Sequence, residues 1–121
     1  MTTITSTGIQ FSDGTTQTTS NDNVLGYNQV WTNVKASRAA NVTYTNNSTR
    51  PIMVAITAAG SDIMSLLVNV GGGNLIAHQL GTNPDSSALV QTIIGIVPPG
   101  ATYYFERPPT GYTLEEWHEL I

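Results

Sequence analysis

The sequence predicts an all-β protein, an antiparallel β-sandwich of the jelly-roll type that follows a polar N-terminal arm. Charged residues make up 10% of the 121-residue chain against 40% hydrophobic residues, and Thr, Asn, Ser and Gly dominate the polar remainder. This composition favours strands and turns over helices. After Tyr27, short apolar runs alternate with turn signals at the spacing typical of sandwiches and barrels. The length suits one domain with a modest core.

Residues 1–25 are predicted to form the arm, and residues 26–121 the domain. From Met1 to about Asn23 the segment is polar and rich in threonine, and it lacks core residues apart from Ile4, Ile9 and Phe11. These are too few to fix the segment locally. We therefore expect the arm to be disordered in an isolated domain, or ordered only by contacts with neighbouring chains.

Seven segments of the domain have the alternating or continuous apolar pattern of strands. They are Tyr27–Val34, Asn41–Thr45, Pro51–Ala58, Met64–Val70, Asn74–Leu80, Ala88–Val97 and Ala101–Glu106. The connections between them contain the residues that β-turns require. "VGGGN" offers glycines for positive φ angles, and "VPPGA" places Pro99 and Gly100 as a type II turn would.

The C-terminal segment "GYTLEEWHELI" fits two structures. Thr113 followed by Glu116 resembles a helix capping box, with Leu114, Trp117 and Ile121 on one helical stripe. The same residues from Trp117 onward also alternate as a strand does. We favour a turn at 114–116 followed by a short closing strand.

Several strands present apolar side chains on both faces. In Pro51–Ala58, Val54 and Ile56 alternate with Met53 and Ala55. The run "IIGIV" that ends at Val97 is apolar throughout, a pattern typical of strands covered on both sides. A small domain cannot cover two faces alone, so the pattern predicts a partner.

Charge and composition argue against several classes of ligand. The net charge is -4, and Lys35, Arg38, Arg50 and Arg107 are the only fixed cations, so no basic stripe for nucleic acid is present. The chain has no cysteine, which excludes disulfides and thiolate metal sites. No stretch approaches the ~18 apolar residues of a membrane span, and no signal-peptide pattern precedes the domain. We expect no membrane insertion.

Residue types used in catalysis are present without the arrangement that catalysis needs. His78 and His118 lack metal-ligand spacing. Glu115, Glu116 and Glu119 could suggest the carboxylate pair of a glycosidase, but they share one short segment, which predicts a solvated acidic end. No nucleophile elbow or phosphate loop occurs. We predict no enzymatic activity, no metal and no cofactor.

Four motifs resemble sequences of tailed-bacteriophage tail and fibre proteins. "GIQFSDGTTQTTS" resembles a leader that recurs in these proteins, and "NVTYTNNSTRPIMVAIT", "IVPPGATYYFE" and "LEEWHEL" resemble strands of their small C-terminal tip domains. The resemblance covers most of the chain, although residues 60–83 add little to it.

The resemblance implies a homotrimeric, virion-exposed tail protein that recognises the bacterial surface, a glycan or another receptor, by multivalent non-covalent binding. Such a protein is made in the host cytoplasm and resides in the virion, at the tail rather than the capsid. Ile4, Ile9 and Phe11 would then contact other virion proteins or neighbouring chains. The alternative is a structural component, such as a capsid decoration or head-fibre protein anchored by its arm.

The predicted receptor contacts lie in two loops that combine hydrogen-bonding groups with one exposed ring. They are Asn83, Asp85, Ser86 and Ser87 in the first loop, and Arg107, Thr110 and Tyr112 in the second. The other aromatic residues considered for sugar stacking, Trp31, Tyr44, Tyr103 and Trp117, are predicted to belong to the core.

Overall fold

The protein is all-β, as its composition predicts. The computed structural model describes residues 2–6, 8–17, 24–60, 64–79, 89–106 and 112–121. Within these ranges there are eleven β-strands, no α-helix and one 3-10 turn, at Lys35–Ser37. None of the described residues forms a helix of the length and apolarity that crossing a bilayer demands.

The arm contains a small antiparallel sheet of its own, in the order β1 (Thr3–Thr5), β2 (Gly8–Gln10), β3 (Thr16–Gln17). Asp13 fixes the turn before β3, since its Oδ1 accepts hydrogen bonds from Thr15 N at 2.9 Å and Thr15 Oγ1 at 2.6 Å. These bonds hold the pKa of Asp13 below its usual value. The expectation of a disordered arm missed this local turn chemistry, which orders the backbone without a core.

Two four-stranded antiparallel sheets form the rest of the described structure. The first sheet has the order β4 (Trp31–Asn33), β11 (Tyr112–Leu120), β6 (Ile52–Gly60), β9 (Leu89–Val97). The second sheet has the order β5 (Thr43–Thr45), β10 (Thr102–Glu106), β7 (Met64–Val70), β8 (Gly73–Gln79). Every neighbouring pair is antiparallel.

Each of the seven predicted strands overlaps an observed one, and β7 coincides with its prediction. The prediction for Tyr27–Val34 is too long, because only Trp31–Asn33 is a strand. Its first part belongs to a turn in which Tyr27 N donates to Val24 O at 3.2 Å and Asn28 has a φ of 52°. Asparagine tolerates this left-handed conformation better than most residues.

Two predicted turns are confirmed. Val70 pairs with Gly73, so Gly71 and Gly72 form a two-residue hairpin loop, and their φ angles of 58° and 87° are those of a type I′ turn. After β9, Ala101 N donates to Pro98 O at 3.1 Å across a turn in which Gly100 has a φ of 77°. That geometry is the type II turn expected of Pro99-Gly100.

The C-terminal segment is one continuous strand, so the helical alternative is wrong. β11 pairs with both β4 and β6, and the register shifts between Leu114 and Glu116. The turn predicted there is therefore a β-bulge that leaves Glu115 without a register partner. Trp117 and Glu119 then point inward, because β11 pairs with a strand on each side and side chains alternate between the two faces of a strand.

A single hydrophobic core lies between the sheets and draws residues from both. Val54, Ile56 and Trp117 of the first sheet and Leu66 and Phe105 of the second are fully buried. The rings of Phe105 and Trp117 meet edge to face, with centroids 5.9 Å apart. The alternation predicted for Pro51–Ala58 is confirmed, since every second residue from Ile52 to Gly60 is buried.

Candidate functional site

An open cleft of about 420 Å³ lies at one end of the molecule, where the start of β6 meets the ends of β5 and β11. Most of the residues that line it have polar side chains. Asn28 and Gln29 come from the turn before β4, and Asn46, Asn47, Ser48 and Arg50 from the β5–β6 connection; Arg38, Thr45, Ile52, Tyr103, Glu119 and Ile121 complete the lining. Its volume falls within the range of small-ligand sites.

Glu119 is a buried carboxylate beneath the cleft, with 1% of its surface exposed. Arg38 binds it through two nitrogens, Nε to Oε1 at 2.9 Å and Nη2 to Oε2 at 3.0 Å. Tyr103 OH and Trp117 Nε1 also donate to Oε1, at 2.8 and 3.2 Å. Four donors therefore compensate the burial of one charge, which makes Glu119 part of the scaffold.

The same network shifts the protonation of its neighbours. The hydrogen bond with Glu119 raises the pKa of Arg38 above its ordinary value. Burial, and then the hydrogen bond to Glu119, raise the pKa of Tyr103 well above that of a free tyrosine. The guanidinium of Arg38 also lies 4.7 Å from the centre of the Tyr44 ring. Both Arg38 and Tyr103 therefore remain protonated donors throughout the neutral range.

The raised pKa of Tyr103 predicts a loss of stability at alkaline pH. Because the folded pKa lies above the unfolded value of about 10, the stabilisation is complete below pH 10 and is lost as the pH rises further. Urea midpoints from pH 7 to 11 should fall more steeply above pH 10 for the wild type than for Tyr103→Phe. Tyr104→Phe, which removes an exposed hydroxyl bonded to Asn41, should follow the wild type. Parallel curves for wild type and Tyr103→Phe would exclude this role.

Asn46 fixes the wall of the cleft with every polar group it has. Its Nδ2 donates to Arg50 O at 2.8 Å and to Val97 O at 3.0 Å, and its Oδ1 accepts from Ser48 N and Ser48 Oγ. Its backbone N donates to Ala101 O, and its backbone O accepts from Gly100 N. The residue is 4% exposed. It therefore ties the β5–β6 connection to the type II turn after β9.

Arg50 is a half-buried residue in the cleft wall. Its Nη1 donates to Tyr27 O at 2.7 Å, and Gln29 Nε2 donates to Pro51 O at 2.8 Å. These two bonds hold the turn before β4 against the start of β6. Among the described residues, Arg50 has no carboxylate partner.

A second surface feature is an apolar row on the outer side of the first sheet, which we call the outer apolar face. Leu120 pairs with Trp31 on one side and with Met53 on the other, and Met53 pairs with Ile96. Trp31 and Ile96 are each 46% exposed, and Ile94 beside Ile96 is 54% exposed. The prediction that Trp31 belongs to the core is therefore wrong. Its strand is at the sheet edge, and its side chain points outward.

The other predicted core aromatics lie inside or against the core. Tyr103 and Trp117 are buried, and Tyr44 packs against the cluster. The predicted acidic end is correct for Glu115 and Glu116, which are exposed, and wrong for Glu119. Alternation from Trp117 carries Glu119 to the inner face, where Arg38, remote in sequence, meets it.

Most of the predicted receptor contacts fall outside the described residues. These are Asn83, Asp85, Ser86, Ser87, Arg107 and Thr110. Tyr112 is described: it begins β11, is half-buried, and its ring centroid lies 5.7 Å from that of Phe105. In the arm, Ile4, Ile9 and Phe11 are 85%, 38% and 41% exposed.

Sequence reasoning missed the cleft, although one signal for part of it was present. Ser48 comes two residues after Asn46, which is the spacing of an Asx-turn. Within the described residues, no group of three His, Asp or Glu side chains is arranged to hold a metal ion. His118 Nδ1 lies 3.9 Å from Glu116 Oε2 on the outer side of the sheet.

No protein-family model, curated protein or solved structure matches this chain significantly.

Proposed function

We propose that the protein is a bacteriophage tail protein that recognises the host surface, a glycan or another receptor, by non-covalent binding. The observation that carries this proposal is the cleft, whose wall offers amides, a hydroxyl and a guanidinium. Such groups match sugar hydroxyls and acidic substituents. The resemblance of the leader and of three strand motifs to phage tail proteins supplies the biological setting.

The proposed mechanism is binding without catalysis. Glycoside hydrolysis needs two carboxylates at a fixed separation, one of them free to exchange a proton. Among the described side chains of the cleft, Glu119 is the one acid, and four donors already occupy its oxygens. The proposal therefore requires no cofactor or metal. The two loops that the sequence predicts to contact the receptor remain candidates for further contacts.

The strand order supports a jelly-roll assignment for the domain. Counted from β4 as the first strand, the two sheets have the orders 1-8-3-6 and 2-7-4-5. The chain changes sheet at every connection except the β7–β8 hairpin. Eight strands interleaved in this way are consistent with the two Greek keys of a jelly roll.

We propose a homotrimer, in which the outer apolar face contacts neighbouring copies. A row of Trp31, Leu120, Met53 and Ile96 across four strands is a larger apolar surface than isolated exposed residues provide. Three copies of one weak cleft would act at high effective concentration on a repetitive polysaccharide.

The oligomer proposal predicts that a charge on this face dissociates the protein. Light scattering on the wild type should give three times the 12.9 kDa chain mass, whereas Ile96→Lys should give the monomer mass because it buries an unpaired charge at the contact. Val70→Lys, at an equally exposed valine beside the β7–β8 hairpin, should remain trimeric. A wild-type monomer at micromolar concentration contradicts the proposal, and a dimer would correct its symmetry.

The function itself is tested by location and by binding. Immunogold labelling with an antibody against the chain should mark the tail tip of the virion, and a microarray of bacterial surface polysaccharides should retain the full chain. An absence of virion labelling together with an absence of glycan binding would refute the proposal.

A structural role in the virion is the second candidate. It is favoured by the exposed arm residues Ile4, Ile9 and Phe11 together with the outer apolar face, which could both serve attachment to a shell. Immunogold labelling over the capsid, without retention on the polysaccharide array, would select this candidate over host recognition.

A further inference from the structure

We propose that Arg50 is the anion-binding residue of the cleft and that the cleft takes a sugar bearing a carboxylate, such as a uronic acid unit of a polysaccharide. This inference rests on the proposed role in surface recognition and specifies its ligand class.

The charges of the cleft single out Arg50. Among the described side chains that line it are two guanidinium groups and one carboxylate, but Arg38 and Glu119 neutralise each other through two parallel hydrogen bonds. Arg50 has no such partner in the described ranges. Among these side chains one positive charge is thus left, in a chain whose net charge is -4. Such a site attracts an anion locally without making the protein a general polyanion binder.

The geometry holds Arg50 ready for a ligand. Its Nη1 is tied to Tyr27 O at 2.7 Å, and its backbone O accepts from the buried Asn46. Within the described structure its side chain makes no further hydrogen bond. A guanidinium carries five donors in a planar fork, so several remain to meet the two oxygens of a carboxylate. Because the side chain is already half-buried and held, less entropy is lost on binding.

Two amides beside Arg50 can receive the sugar ring. Asn28 and Asn47 line the cleft with exposed side chains, and their amides make no hydrogen bonds to the rest of the described residues. An amide offers both donors and acceptors, as sugar hydroxyls require. The cleft volume of about 420 Å³ suits one or two sugar units.

The count of cations favours a carboxylate over a phosphate. Phosphate sites in proteins commonly combine a guanidinium with a second cation or with a series of backbone N–H groups at a helix N-terminus. Among the described residues, the cleft offers Arg50 as its one uncompensated side-chain cation, and it has no α-helix N-terminus. One planar guanidinium matches one carboxylate, which is planar and singly charged, in both charge and hydrogen-bond geometry.

The test compares two sugars that differ at one group. Titration of the full chain, followed by amide NMR shifts, should show methyl β-D-glucuronide binding about tenfold more tightly than methyl β-D-glucoside, and raised salt should reduce the difference. Arg50→Gln should abolish the preference, and Arg50→Lys should keep part of it. Lys35→Gln, which removes an exposed cation outside the cleft, should bind as the wild type does.

Equal binding of the two sugars, or an undiminished preference in Arg50→Gln, overturns the inference, as does inorganic phosphate that displaces the glucuronide at equal concentration. Should Arg50→Gln fail to fold, the salt dependence and Arg50→Lys decide the matter. Retention on the polysaccharide array that the glucuronide does not inhibit refutes this inference while leaving the proposed function intact. If the glucuronide binds through Arg50 but the virion is not labelled and the array does not retain the chain, this inference stands and the proposed function is refuted.

Discussion

Arg38→Met should destabilise the protein by about 3–5 kcal/mol, because it leaves the buried carboxylate of Glu119 without a counter-charge. Methionine keeps most of the aliphatic stem that packs beside Tyr44, so the loss reports the charge more than the packing. Urea unfolding followed by Trp fluorescence measures the difference. Lys35→Met, an exposed cation in the adjoining 3-10 turn, should remain within about 0.5 kcal/mol of the wild type.

The double variant Arg38→Met/Glu119→Gln separates the charge from the hydrogen bonds. A neutral amide at position 119 still accepts from Tyr103 and Trp117 and carries no unpaired charge. We therefore expect the double variant to be more stable than Arg38→Met alone, with a coupling of about 1–3 kcal/mol. An Arg38→Met variant that loses less than about 1 kcal/mol would show that water or rearrangement solvates Glu119 without Arg38.

Period two in the sequence was enough to predict most strands and the inward faces of the central ones. Val54 and Ile56, like Tyr103 and Phe105, alternate with residues that are less buried, and the structure follows that alternation. The type II turn at Gly100 was equally predictable, because one residue type meets its φ requirement at low cost.

The errors share a physical cause, which is that alternation gives two faces but does not say what lies beyond each. Trp31 lies in an alternating segment, as the core residues do, yet its strand is at the edge of the sheet and its side chain points outward. Glu119 occupies an inward position that a charge ordinarily avoids, and it is tolerated because Arg38 approaches from 81 residues away. A pairing at that separation has no local signature.

The cleft was beyond local reasoning for a related reason. Its wall combines four segments: a turn near Asn28, the residue Arg38 that follows the 3-10 turn, the connection around Asn46 and the end of β11. None of these segments is unusual alone. Only the strand order of the two sheets brings them to the same end of the molecule.

Asn46→Asp should lower the free energy of unfolding by about 3 kcal/mol or more, although it replaces one nitrogen by oxygen in a side chain of the same shape. The Asn46 amide nitrogen donates to two carbonyls, Arg50 O and Val97 O, and the new carboxylate would face both with an oxygen. A buried carboxylate that has no N–H to donate and faces two carbonyl acceptors combines desolvation with repulsion. The acceptor bonds from Ser48 would persist, so the effect isolates the donor half of the network.

The penalty for Asn46→Asp should depend on pH with a definite sign. Burial against two carbonyls favours the protonated acid, which can donate to one of them, so the folded-state pKa of the new group lies above its unfolded value near 4. The destabilisation should therefore shrink as the pH falls through the folded pKa towards 4 and should be largest at neutral pH. Asn47→Asp, one residue along and exposed, should change stability by no more than about 0.5 kcal/mol at either pH. Urea midpoints of the two variants and the wild type at pH 4.5 and 7 measure both effects. A penalty for Asn46→Asp that does not change with pH would mean that the loop opens and water solvates the carboxylate. In that case Asn46 does not hold the cleft wall as a buried donor.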